Sequence, residues 1–189
     1  PRPTRRPSRR PSQLPTEQIE KEQPDGVCLS VLDILCEDDR FSEFCELIED
    51  FDLIQQFSTV ANNDTLTVFA PTNEAFYELD DNEVFSLGVL TDTQLVWVLL
   101  YHVINKESTI LTYDDLTCGA LVETANGRST RTMCLGGEKY QRGPMQMENK
   151  IPKIIAPDMK ACNGVIHVLN NVILPNLNHI PSGNTTDIL

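Results

Sequence analysis

Apolar residues recur along the chain in two rhythms. Phe41, Phe44, Cys45 and Ile48 return at three- and four-residue steps, the period of a helix. Ahead of them Ser30 is placed to cap a short helix carrying Val31, Leu32, Ile34 and Leu35. After them Leu53, Ile54 and Phe57 predict a further turn or two. The rhythm then changes. Thr65-Leu66-Thr67-Val68-Phe69-Ala70-Pro71 alternates and is rich in β-branched residues, which predicts a strand ended by Pro71. Thr72 can cap the next helix, which bears Ala75, Phe76 and Leu79, and the acidic loop Asp80-Asp81-Asn82-Glu83 follows. Thr91-Asp92 opens the strongest helix, predicted from Thr93 to about Val103. Leu95, Val98, Leu99 and His102 share one face of it, flanked by Trp97 and Tyr101.

Beyond Asn105 the pattern turns to β structure. Leu116–Glu123 and Ser129–Leu135 are strand candidates around Asn126-Gly127, a pair that favours a two-residue hairpin turn with positive φ at both positions. Ile151–Ala156 and Val165–Leu174 supply two more. Asn163-Gly164 reads as the tight turn leading into the last of these. Val165, His167 and Leu169 then share one face and Ile166 and Val168 the other, so the strand is apolar on both sides, with a bend at Asn170-Asn171. Helices come first and strands later, with no internal repeat. That order predicts one α+β domain over residues 26–177 rather than an alternating sheet.

The six cysteines are even in number and contain no C-x-x-C pair, which favours disulfides in an oxidising compartment over a metal site. The hairpin at Asn126-Gly127 leaves Cys118 and Cys134 one residue out of register, and one bulge would bring them opposite. Cys36 and Cys45 bracket a short inter-helix loop. Cys28 and Cys162 remain, and would tie the start of the domain to its last strands. Six cysteines allow about fifteen pairings, so this set is an expectation to be tested.

Charge sharpens the picture. The 189-residue chain has net charge −13, yet residues 1–16 contain Arg2, Arg5, Arg6, Arg9 and Arg10 and no acid. Taking those five positive charges away from −13 leaves −18 on the remainder. A domain that acidic disfavours nucleic acid and anionic lipid. Residues 1–24, Pro/Arg-rich and then acidic, have too little to bury and are expected to be a disordered linker; 178–189 is expected to be a flexible tail. No run of 18 apolar residues exists to span a membrane, and the opening PRPTRRPSRRPSQLP fits a chain whose leader has been removed. Sequons at Asn63 and Asn184 add to the expectation of a secreted or surface-displayed glycoprotein.

Thr67-Val68-Phe69-Ala70-Pro71-Thr72-Asn73-Glu74-Ala75-Phe76 resembles the first signature of the fasciclin domain, and Asn163-Gly164 through Leu174-Pro175 resembles the second. Tyr101-His102 between them resembles the family's Tyr-His motif. The resemblance covers about residues 26–177, and the cysteines look like those of algal and other protist members. It implies a β-sandwich or wedge with helices packed alongside, tied by disulfides, that acts in cell adhesion and matrix assembly and not in catalysis. In some animal members a Glu-Pro-Asp-Ile-Met stretch ahead of the second signature contacts integrin. Here the matching residues are Ala156-Pro157-Asp158-Met159-Lys160, which keep Pro157 and Asp158 alone. The resemblance thus makes Tyr101, His102, Pro157 and Asp158 the candidate adhesive surface. It makes Thr67, Val68, Phe69, Ala70, Pro71, Thr72, Phe76, Asn163, Gly164 and His167 core markers.

Catalysis needs converging groups, and no hydrolase, zincin, P-loop or dinucleotide motif accompanies the three histidines His102, His167 and His179. His102 and His167 lie in apolar segments, where a hydrogen-bonded core histidine accounts for each. The acidic runs lack the spacing of a calcium loop and read as solvated helix ends and turns, with weak calcium binding as the alternative, and no cofactor is expected. The reading is an extracellular binding module for a protein or glycan. Its alternative is a mineral- or polyanion-associated polyelectrolyte in which the Arg-rich tail and the acidic domain do the binding.

Overall fold

The computed structural model describes residues 28–58, 64–80, 88–107 and 110–180. Helix α1 (Val31–Glu37) begins at Ser30, whose hydroxyl accepts from the Asp33 N–H while the Asp33 carboxylate accepts from the Ser30 N–H, a reciprocal capping box. A 3-10 turn (Asp39–Phe41) leads into α2 (Ser42–Asp50), and α3 (Ile54–Ser58) completes the helical layer. β1 (Asp64–Pro71), α4 (Asn73–Asp80), α5 (Asp92–Leu100) and β2 (Val103–Glu107) follow. Then come β3 (Leu121–Glu123), β4 (Ser129–Leu135), β5 (Glu138–Arg142), β6 (Ile154–Ala161) and β7 (Gly164–Leu169).

The strands form two sheets. One has the order β2-β1-β7-β6, with β1 and β7 parallel at its centre; the other is β3-β4-β5. A Tyr140–Lys153 bridge joins them. Side chains alternate along the central pair and divide the core in two. Leu66, Val68, Ala70, Ile166 and Val168 face Val31, Leu35, Phe44, Ile48 and Phe76 of the helices. Phe69 and Leu169 face the second cluster, with Tyr101, Ile104, Leu116, Val122 and Ile154. β7 is buried at every position, as a strand covered on both sides must be.

Several expectations are corrected here. Helix α5 ends at Leu100; Tyr101-His102 is a turn, and β-branched Val103 already pairs with Val68. Its residues from Leu95 to Leu100 are all buried, so it is an all-round core helix and not a one-faced one. β3 is confined to 121–123, β6 is shifted to 154–161, and β7 stops before the Asn170-Asn171 bend. β5 was not predicted at all. The loop at Asn126-Gly127 has three residues, since Thr124 pairs across to Arg128 and Gly127 alone is left-handed, at φ 74°. The extra residue shifts the register to Leu121 opposite Arg131. Beyond that pair Gly119, at φ 81°, donates its N–H to the Thr132 carbonyl while the Ala120 carbonyl accepts from the Thr132 N–H, a bulge next to Cys118. The last hairpin turns at Cys162-Asn163, because Ala161 pairs with Gly164.

Disulfides join Cys28–Cys162, Cys36–Cys45 and Cys118–Cys134. No helix among the described residues is long and apolar enough to cross a membrane. Residues 1–24, Asn63, Asn184 and the tail beyond Ile180 lie outside the described residues.

Candidate interaction surface

The two signature segments lie side by side as β1 and β7, and their side chains are spent on each other. Thr67, Val68, Phe69 and Ala70 are fully buried, with Pro71, Thr72 and Phe76 close behind. The Thr67 hydroxyl accepts from the Leu111 N–H at 2.9 Å. The Asn163 amide accepts from the Val31 N–H at 2.8 Å and donates to the Phe57 carbonyl at 3.2 Å, fastening the hairpin to two helices.

Both buried histidines serve the backbone. His167 is paired across from Phe69 and stacks on its ring at 5.5 Å. Its Nδ1 accepts from the Asp158 N–H at 3.3 Å, which leaves Nε2–H to donate to the Leu111 carbonyl at 2.8 Å. His102 Nε2 accepts from the Ile173 N–H at 2.9 Å, so Nδ1–H donates to the Val98 carbonyl at 2.8 Å. Each ring is thereby fixed as a neutral tautomer with no nitrogen to spare for catalysis or metal. Burial lowers the pKa of both, and that of His102 falls from 6.5 to about 4.

Those shifts predict a pH dependence. The unfolded chain protonates near pH 6.5 and the folded chain does not until about pH 4, so the unfolded state binds more protons in between. Stability is therefore full above pH 6.5 and falls as the pH drops toward 4. His102 contributes on the order of 3 kcal/mol to that fall, and His167 acts in the same direction. Urea unfolding at pH 7 and pH 4.5 should show the loss, with a smaller slope in His102→Gln; an unchanged slope would mean that His102 does not carry it.

The candidate adhesive residues separate. Tyr101 and His102 are buried, so they present no surface, which corrects that expectation. The Tyr101 hydroxyl donates to the Ser129 carbonyl at 2.5 Å, and burial pushes its pKa up to about 12. Pro157 is exposed on a bulge of β6. Asp158 is half-buried, with left-handed φ of 57°, and its carboxylate accepts from the Tyr113 N–H at 2.8 Å. It orders the Tyr113 loop and, through its own N–H, His167. The acidic runs have local uses: Asp38 binds Arg40, and Asp115 accepts from the Thr112 N–H and hydroxyl. Among the described residues Cys36, Cys45 and Glu49 lie close enough to share an ion, but both sulfurs are in a disulfide. The His179 side chain is outside the described residues.

A further exposed surface among the described residues is the outer face of the small sheet. Leu121, Arg131 and Arg142 make one row across β3, β4 and β5, with Met133 and Tyr140 in a neighbouring row. Leu121 is 61% exposed. A hollow of about 450 Å³ lies here, lined by Leu121, Arg131, Met133, Arg142 and Pro144 among others. The sequence reading missed this face because it missed β5. The signal was Gly136-Gly137, which carries positive φ at both residues and forms the two-residue turn between β4 and β5.

Comparison with known proteins places the whole arrangement. The family model for the Fasciclin domain matches residues 39–175. The chain is 31% identical over 145 residues to the uncharacterized protein sll1735 of Synechocystis, covering 77% of this chain and 97% of that one. It is 32% identical over 152 residues to transforming growth factor-beta-induced protein ig-h3 of Sus scrofa, covering 79% of this chain and 20% of that much longer protein. Among solved structures, a FAS1 domain pair from the insect cell adhesion molecule Fasciclin I matches with TM-score 0.59 at 17% identity. The match covers 85% of this chain and 53% of that one, a likeness of fold.

Proposed function

Because the chain belongs to the fasciclin domain family, we propose that it is a non-catalytic extracellular module for cell adhesion or matrix organisation, presenting a rigid surface to a protein or glycan partner. One observation carries the reading: the signature residues point inward. What the chain shares with its relatives is a scaffold, and function on such a scaffold resides on the exposed faces. The solved neighbour comes from a cell adhesion molecule, and the reading carries that role over to this chain. Pairing of all six cysteines supports an oxidising compartment. Both histidine rings are committed to backbone groups, which supports a non-catalytic role.

Capture of the full chain by extracellular matrix material tests this. A shape-specific surface should retain capture after deletion of residues 1–24, and should weaken only modestly at about 0.5 M salt, where exposed charges are screened beyond roughly 4–5 Å. Loss of capture under both conditions would favour the polyelectrolyte reading, and no capture at all would remove the adhesive one.

A further inference from the structure

Arg131 and Arg142 stand directly opposite on neighbouring antiparallel strands. Side chains so placed start about 5 Å apart, and like charges there destabilise the sheet. Among the described residues only one of the two has a carboxylate partner. Arg142 pairs with Glu148. The Arg131 guanidinium donates to the Gly119 carbonyl at 2.7 Å and, among the described residues, has no carboxylate within ion-pair distance. In a chain of net charge −13 carboxylates are not scarce, yet among the described residues none is set against Arg131. Both guanidinium groups border the 450 Å³ hollow, whose other walls include the aliphatic and thioether groups of Leu121, Met133 and Pro144. A second hollow of about 360 Å³ shares Ser129 and Pro144 with the first and continues it toward Arg128.

We propose that this track binds an extended acidic peptide segment of a partner protein. A Glu or Asp carboxylate sits between Arg131 and Arg142, and a neighbouring apolar side chain packs on Leu121 and Met133. The proposal rests on the adhesive reading above and specifies the partner's chemistry. A carboxylate matches the forked donors of arginine and removes the cross-strand repulsion. The apolar walls decide between polyanions. A sulfated glycan offers charge, hydroxyls and only the small C–H faces of its rings to cover Leu121 and Met133, whereas a peptide with alternating acidic and apolar residues satisfies both halves of the hollow.

The test titrates the full chain against a fluorescein-labelled peptide Gly-Leu-Glu-Leu-Asp-Leu-Gly, read by anisotropy, beside its Gln/Asn counterpart and a labelled heparin oligosaccharide. The acidic peptide should bind and the neutral one should not. Arg131→Gln and Arg142→Gln should each weaken binding at least tenfold, and Arg131→Lys less than that. The melting temperature of Arg131→Gln should be unchanged or higher, since a repulsion is relieved. Equal binding of the neutral peptide, undiminished binding by the variants, or no binding of any probe overturns the proposal. So does a variant-sensitive site that takes heparin and not the peptide, and so does a lower melting temperature for Arg131→Gln, which would make the arginine structural. Matrix capture separates the two levels. Undiminished capture by the double variant overturns this site and leaves the adhesive reading standing. No capture by the unaltered chain, with the peptide still bound, removes the adhesive reading alone.

Discussion

Replacing Cys28 and Cys162 together by serine should lower the free energy of unfolding by about 5 kcal/mol, by the chain-entropy estimate of loop closure. That bridge spans 134 positions, against 16 for Cys118–Cys134 and 9 for Cys36–Cys45. The same relation gives about 3 kcal/mol for each of the short loops. The effect falls on the unfolded chain because the folded one is held at the same place by other means. The Cys162 N–H donates to the Leu29 carbonyl at 2.9 Å, and Asn163 binds Val31 and Phe57. Native geometry should therefore survive loss of the sulfurs, while the unfolded chain gains freedom. Urea unfolding should show a lower midpoint and a steeper slope, since more surface is exposed on opening. Single domains commonly have a total stability of about 5–15 kcal/mol, so a loss of this size is a third of it or more. An equal loss on removing Cys36–Cys45 would show that the unfolded chain is already compact and that loop length does not govern the effect.

The sequence announced an element wherever one face is apolar and the other is not, or where both are. α2 shows its period through Phe44, Cys45 and Ile48. β7 shows itself because covering on both sides demands an unbroken apolar run. β5 has neither mark. The inner face of β4 and β5 is polar, with Thr130, Thr132 and Gln141 fully buried, and it closes on itself through a 2.9 Å bond from the Gln141 amide to the Thr132 hydroxyl. A strand whose buried residue is glutamine shows no hydrophobic alternation, so Glu138-Lys139-Tyr140-Gln141-Arg142 reads as loop. The arginine pair was hidden with it, since the opposition of Arg131 and Arg142 exists only once the Gly136-Gly137 turn is recognised. The histidines were legible as core residues from their apolar neighbours. Their partners were not: Leu111 and Ile173 are 56 and 71 positions away, and they offer backbone groups whose placement no local pattern encodes.

Gly164→Ala should cost more than about 3 kcal/mol, at or beyond the upper range for overpacking, and should lower the melting temperature by roughly 10 °C. The expected cause is contact and not conformation. Gly164 is absent from the left-handed glycines, and it opens β7 directly opposite Leu66 of β1. A Cβ there would lie 2.1 Å from the Leu66 carbonyl oxygen, 2.8 Å from its carbon and 3.0 Å from its nitrogen. All three are backbone atoms, so no side chain can swing aside. Restoring ordinary contact means moving one strand by about 1 Å, in a packed interior that tolerates little displacement. The Leu66 N–H is also bonded to the Asn163 carbonyl at 2.8 Å, which pins the two strands at this rung. Shifting β7 would carry Ile166 and His167 with it, one from each half of the core. Gly136→Ala is the control. That glycine has φ of 62° and nothing within 4 Å of a Cβ, so it should lose only about 1 kcal/mol, the ordinary cost of a left-handed L-residue. Differential scanning calorimetry of the two variants should separate them clearly. Equal small losses would mean that the β1–β7 pair relaxes freely. A large loss confined to Gly164→Ala would show that the glycine in the second signature serves the close approach of two central strands, and not the turn that the sequence suggests.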